Sequence, residues 1–103
     1  MTSTDSTVPQ PASAPPEAVE LGPRRDDDPA PDVLVYSTGQ KAVLEVYVAG
    51  QYRQAIVRER LRFQGGTAYT VLLDPGTGHH EIRTYRWGPG MRVKFVPGAA
   101  PAL

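Results

Sequence analysis

After Pro31 the chain becomes a series of short runs of β-branched and aromatic residues separated by turn-forming residues. Glycine or proline closes nearly every run, and the runs follow one another closely, which is typical of antiparallel strands joined by tight turns. The sequence therefore predicts a mainly β domain of five or six antiparallel strands within residues 32–97. The predicted strands are Val33 to Tyr36, Ala42 to Val48, Tyr52 to Phe63, Thr67 to Leu73, Glu81 to Trp87 and Met91 to Val96.

The run from Tyr52 to Phe63 is ambiguous, because many of its residues also favour helix. A helix there would give a β-α-β-β domain instead. Alternation favours a strand, as do the glycine turns on both sides. Glu59 falls on the apolar side of that alternation, and we expect a bulge, an edge position or an ion pair there. The alternating rows are Val57, Leu61 and Phe63 opposite Arg58, Arg60 and Arg62.

Residues 1–31 differ in charge and composition from the rest. They hold seven of the eleven prolines, none of the eight aromatic residues, and two arginines against six carboxylates, for a net charge of −4. Residues 32–103 hold nine Lys/Arg against five Asp/Glu, for a net charge of +4. So few large aliphatic residues cannot offset the entropy of ordering, and we expect a disordered acidic, proline-rich tail. Residues 98–103 are expected to be a flexible C-terminus.

Two interpretations of the tail remain open. The simpler one is a linker or solubilising arm. The alternative starts from the run Asp26-Asp27-Asp28, which would let the tail fold back onto the basic domain and compete with an anionic ligand.

Composition restricts the chemistry open to this chain. There is no cysteine, which excludes disulfides and thiolate zinc sites, and no apolar run long enough to span a membrane or serve as a signal peptide. We expect a cytoplasmic protein, and the preference for arginine over lysine is typical of a GC-rich bacterial genome. His79 and His80 are adjacent loop residues, a poor arrangement for one metal ion. Ser37 has no evident base partner. We expect no metal, no cofactor and no enzymatic activity.

The pattern of glycine, aromatic and small residues resembles that of SH3-like barrels of the Tudor type. In those domains a strand ends at a glycine turn, an aromatic residue follows, and a small residue then begins an apolar strand. Gly50, Tyr52, Ala55 and Val57 stand in those places here. The resemblance spans about residues 41–96 and implies a small closed barrel. The Asp-Tyr-Gly element of many such domains is absent.

Two sets of residues are candidates for a binding surface. Aromatic rings can line a groove for a peptide or surround a methylated cation, although with so small a domain they also serve as core. Arginines on several strands would form a basic surface if they cluster, or a solvated face paired with glutamates if they do not. The aromatic set is Tyr47, Tyr52, Tyr69, Tyr85 and Trp87, and the basic set is Arg53, Arg58, Arg60, Arg62, Arg83, Arg86 and Arg92.

These features favour a non-catalytic binding or adaptor module with a protein or peptide partner. An exposed strand edge, such as Val33 to Tyr36, can accept another strand, and a groove can hold an extended peptide. One alternative is a nucleic-acid-binding module that uses the arginines, with Tyr85 or Trp87 stacking on bases. Another is a structural or self-assembling small protein.

Overall fold

The computed structural model describes residues 15–23, 25 and 27–103. Seven strands form there, with a 3₁₀ turn at Thr38–Gln40 and no α-helix among the described residues. The prediction of a mainly β chain is therefore confirmed. The strands are β1 Val19–Glu20, β2 Asp32–Val35, β3 Val43–Val48, β4 Gln51–Phe63, β5 Gly66–Leu73, β6 Glu81–Arg86 and β7 Met91–Phe95.

All seven strands belong to one curled antiparallel sheet that forms a half-barrel. The strand order is β1-β6-β5-β4-β3-β7, and β2 pairs with β4. The long strand β4 organises the sheet, because its first half pairs with β3 and its second half with β2, while β5 lies along its other side. The ambiguous segment is thus a strand, as the alternation indicated.

A bulge at Arg58 divides β4 into two halves. Val57 lies opposite Val71 and Glu59 opposite the next residue, Thr70, so Arg58 is an extra residue without its own partner on β5. The bulge expected near Glu59 is confirmed. It also exchanges the two faces of the strand, since Arg60 now lies opposite the buried Tyr69.

One face of the sheet, here called the inner face, carries the core. Its buried residues come from the regular alternation of neighbouring strands, in which partners across a ladder share a face. The opposite face, called the outer face, carries Leu61, Phe63 and Thr84 together with exposed aliphatic residues. The core cluster comprises Tyr36, Ala42, Leu44, Val46, Ala55, Val57, Tyr69, Val71, Leu73, Tyr85 and Met91.

The segment Pro16–Leu21, here called the arm, fastens the two sides of the half-barrel. The Ala18 N–H donates to the Tyr47 carbonyl on β3 at 2.9 Å, and the Leu21 N–H donates to the Thr84 carbonyl on β6 at 2.8 Å. This part of the predicted tail is therefore paired with the sheet, because its backbone supplies partners that strand edges require even where few apolar side chains are available. Residues 1–14, Arg24 and Asp26 lie outside the described residues, and with them about half of the predicted tail.

The C-terminal residues also contact the sheet, in contrast to the expectation of a flexible end. The Tyr36 hydroxyl donates to the Pro101 carbonyl at 3.1 Å, and the Gln40 amide donates to the Ala99 carbonyl at 3.1 Å. Ala100 and Leu103 pack against the core. The segment covers apolar surface at the β2 end of the inner face, where a half-barrel would otherwise leave its core open.

Candidate functional site

The five candidate aromatic residues are divided between two pairs and the core. The rings of Tyr47 and Tyr52 meet edge to face at 5.2 Å, and those of Tyr69 and Trp87 at 5.8 Å. Tyr69 and Tyr85 are 4% and 2% exposed, so their rings are core. Five rings do not surround one space, and the groove they were expected to line is not a single feature.

Several candidate arginines are held by nearby acceptors. Arg83 lies 3.1 Å from Glu81 and 3.6 Å from Glu20. Arg92 lies 2.9 Å from Glu45, and its guanidinium is 3.7 Å from the centre of the Tyr52 ring.

The Arg53 side chain donates to the Val48 carbonyl at 2.8 Å. The Tyr85 hydroxyl and Glu81 raise the pKa of Arg83. These arginine side chains are bound to acceptors within the chain, so their positive charges are less available to a ligand.

The arginine row of β4 is divided by the bulge. Arg58 is exposed beside Lys41, whereas Arg60 and Arg62 turn to the inner face near Tyr36. Burial raises the pKa of the Tyr36 phenol, and the charges of Arg60 and Arg62 oppose that rise. Arg60 also donates to the Ala102 carbonyl. A single outward row of three arginines, as the alternation predicted, does not form.

The histidines considered as metal ligands lie in the loop between β5 and β6. In the part of the chain that the structure describes, no three potential ligands cluster, and His79 and His80 are exposed. Asp74 accepts the backbone N–H groups of Gly76, Thr77 and Gly78, and these bonds, led by that of Gly76, lower its pKa. Asp74 therefore has a structural role, because its carboxylate holds the backbone of the loop that follows it.

The hydrogen bonds of β2 identify an open edge. The Tyr36 N–H donates to the Arg58 carbonyl, and Leu34 and Asp32 follow at the same bonded positions of the ladder with β4. In an antiparallel ladder, bonded and non-bonded pairs alternate, so the N–H and C=O groups of Val33 and Val35 point away from β4. No other strand among the described residues pairs with β2.

The side chains at this open edge are apolar and exposed. Val33 and Val35 are 53% and 65% exposed and share the outer face, as their partners Leu61 and Glu59 show. Ile82, on β6 of the same face, is 59% exposed. Solvent-exposed valines beside unpaired backbone groups make this edge suited to accept another strand.

The other two edges of the sheet are protected. The arm pairs with β6 along part of its length. The strand β7 carries the charged residues Arg92 and Lys94, and its register with β3 shifts between Val43 and Leu44. Charged side chains and bulges are features that discourage strand addition at an edge. Within the described ranges, β2 is the edge that combines exposed aliphatic residues with a regular register and no charge from Val33 to Tyr36.

A groove lies next to β2 on the outer face. Its deeper part has a volume of about 450 Å³ between the Leu21–Pro23 segment and the β4–β5 turn, and is mostly apolar. Val33 and Leu61 line its continuation toward β2. Sequence reasoning missed this groove, because one wall belongs to the segment interpreted as a tail.

Comparison with known proteins adds no family to this description. No family model matches the chain, and no curated protein or solved structure is significantly similar to it. In the described residues, no helix is long and apolar enough to cross a membrane.

Proposed function

We propose that this protein is a non-catalytic interaction module that binds an extended protein segment by strand addition at β2. The observation that carries the proposal is that Val33 and Val35 combine exposed side chains with outward backbone groups that no other strand of the described residues pairs. Backbone hydrogen bonds would provide affinity.

The outer face would provide specificity. A strand added at β2 projects alternate side chains toward Val33, Val35 and the adjacent groove, so an apolar residue at every second position fits best. The SH3-like, Tudor-type resemblance agrees with a small binding module, and a small curled β-sheet is compatible with it. Cytoplasmic action on a protein or peptide partner remains part of the proposal.

Nucleic-acid binding is the alternative outcome. Its candidate cations are dispersed, because Arg83 and Arg92 contact glutamates while Arg60 and Arg62 lie on the inner face. Arg86 stands apart from them on the outer face. This distribution favours a protein partner over a phosphate backbone, which requires several free cations in a row.

Peptide selection against the immobilised full chain tests the proposal. We expect retained peptides to alternate apolar and polar residues, and their affinity to change less than about 3-fold between 50 and 200 mM salt. Binding through several phosphate contacts would fall about 100-fold or more over that range. Fluorescence anisotropy with selected peptides, and with single-stranded DNA and RNA, measures both.

Two variants locate the site. Val35→Pro removes an outward N–H while leaving the ladder with β4 intact, so we expect at least a 10-fold loss of peptide affinity. The control, Val93→Lys, changes a valine of similar exposure, 49%, on the charged edge β7 and should bind normally. Failure to retain any peptide, or equal loss in both variants, would contradict the proposal.

A further inference from the structure

We infer that the partner at β2 is a second copy of this chain, paired antiparallel about a twofold axis at Leu34. This inference rests on the proposed function, because it names the occupant of the same edge. The register of the strand and the exposed surface that pairing removes from water support it.

The register of β2 is self-complementary about Leu34. A twofold axis there sets Val33 opposite Val35 of the second copy, so every outward N–H and C=O of these two residues finds a partner. Moving the axis to Val33 would require a bond from Pro31, which has no N–H. Moving it to Val35 would use the N–H of Ser37, which faces the Gln40 side-chain oxygen at 3.4 Å. Only the axis at Leu34 uses all the available groups.

Both ends of β2 carry charges of mixed sign, because Arg62 lies opposite Asp32 and Glu59 lies opposite Val35 on β4. Asp32 is exposed at the start of the strand, and Arg58 and Lys41 are exposed around Val35 at its end. Antiparallel pairing brings Asp32 of one copy opposite Tyr36 of the other, and Tyr36 is bonded to Arg58 on the next strand. Within each copy Arg62 lies nearer to Asp32 than Arg58 of the second copy does, so these charges do not decide the orientation, and the antiparallel arrangement rests on the register.

Pairing also covers two exposed aliphatic side chains of the outer face, Val33 and Val35. Val33 of each copy lies directly beside Val35 of the other, at a cross-strand distance where β-branched side chains contact. A short strand buries less than the roughly 1,200 Å² of a standard stable interface. We therefore expect a weak dimer, with a dissociation constant of about 10 µM to 1 mM.

Sedimentation velocity of the full chain over this concentration range tests the inference, with two double variants. Val33→Lys/Val35→Lys sets lysine opposite lysine across the axis and should remain monomeric at 1 mM. Val33→Lys/Val35→Glu has the same number of charged replacements but sets lysine opposite glutamate. We expect it to dimerise within about 10-fold of the original affinity. A monomeric original chain at 1 mM, or identical behaviour of the two variants, would overturn the inference.

Cysteine cross-linking provides a second measurement that depends less on affinity. The chain has no cysteine, so any link reports the introduced residue. Non-bonded antiparallel pairs place Cα atoms about 4.5 Å apart, within the range for a disulfide. Under mild oxidation Leu34→Cys should give mainly linked dimer, whereas the control Val93→Cys should not. Equal linking by both would count against an axis at Leu34.

The inference and the proposed function fail differently. A chain that is monomeric at 1 mM but binds selected peptides in a Val35-dependent way loses the second-copy partner and keeps strand addition. A monomeric chain that also binds no peptide loses both. A dimer that is abolished by Val35→Pro, in a chain that also binds selected peptides in a Val35-dependent way, supports both.

Discussion

The edge of the sheet at β6 is covered by the arm, whereas the edge at β2 is open. Both edges end the sheet and would leave backbone groups unpaired. At β6 the chain covers the edge with its own arm, through the pairing of Val19 and Glu20 with β6 and the bond from the Leu21 N–H to the Thr84 carbonyl. At β2 the outward groups of Val33 and Val35 have no strand beside them in the described residues, and their side chains are exposed.

The contrast indicates where stability is concentrated and where binding occurs. A covered edge stabilises the fold, since its contacts form within one chain. An open edge with apolar side chains contributes little to the stability of a single chain, but it can pair with a strand of another chain. Changes at the arm should therefore alter the free energy of unfolding, and changes at β2 should alter association.

Gly90→Ala should produce the largest loss of stability, because it displaces the arm from the sheet. A Cβ at this position would lie 2.5 Å from the Pro16 carbonyl oxygen and 2.8 Å from the Ala18 nitrogen. These are backbone atoms, so the arm must move, and we expect the free energy of unfolding to fall by about 1–3 kcal/mol. Urea denaturation measures the change.

Gly88→Ala is the matched control for that variant. A Cβ at Gly88 would find its nearest neighbour, the Arg86 carbonyl oxygen, at 3.9 Å. The free energy of unfolding should change by less than about 0.5 kcal/mol. Hydrogen exchange at the Ala18 amide should accelerate in Gly90→Ala alone; equal effects of the two variants would argue against the arm as the cause.

Ala49→Asn should strengthen the covered edge by a smaller amount. Ala49 has a φ of +52° in the two-residue turn between β3 and β4, and its N–H donates to the Glu17 carboxylate at 2.8 Å. Asparagine tolerates this conformation better than alanine and keeps the bond. Thermal unfolding should report a gain of about 0.5–1 kcal/mol. An unchanged or lower unfolding temperature would show that the turn is not strained.

Asp74→Asn should give the smallest effect and belongs to neither edge. The backbone N–H groups that bind the Asp74 carboxylate hold its pKa below 3.8, so ionised Asp74 favours the folded state. Its contribution is present above pH 3.8 and is lost as pH falls through the lower folded pKa. The variant should therefore lose slightly less stability than the original chain on acidification below pH 4, measured by thermal unfolding. A larger acid loss in the variant would reverse this sign.

Much of the fold was predictable because its signals are local. Turn residues such as Gly50 and Pro75 mark the strand ends, and the six predicted strands match β2 to β7 to within one residue at each end. Glu59 also indicated the bulge, because a carboxylate on an apolar row signals a change of register. The candidate arginines and aromatic residues were less predictable, since clustering depends on which strands become neighbours.

The sequence by itself determined the strand composition and the turns, since each depends on conformational preferences of neighbouring residues, and at Glu59 it indicated a bulge, an edge position or an ion pair, of which the structure shows the bulge. Only the tertiary structure decided which face of the sheet the β4 residues after the bulge occupy, how the arm joins β3 to β6, and which edge of the sheet is open. Each of these depends on hydrogen-bonded pairing between residues far apart in the chain, such as Ala18 with Tyr47. Backbone groups are the same in every residue except proline, so the side-chain pattern does not record their partners.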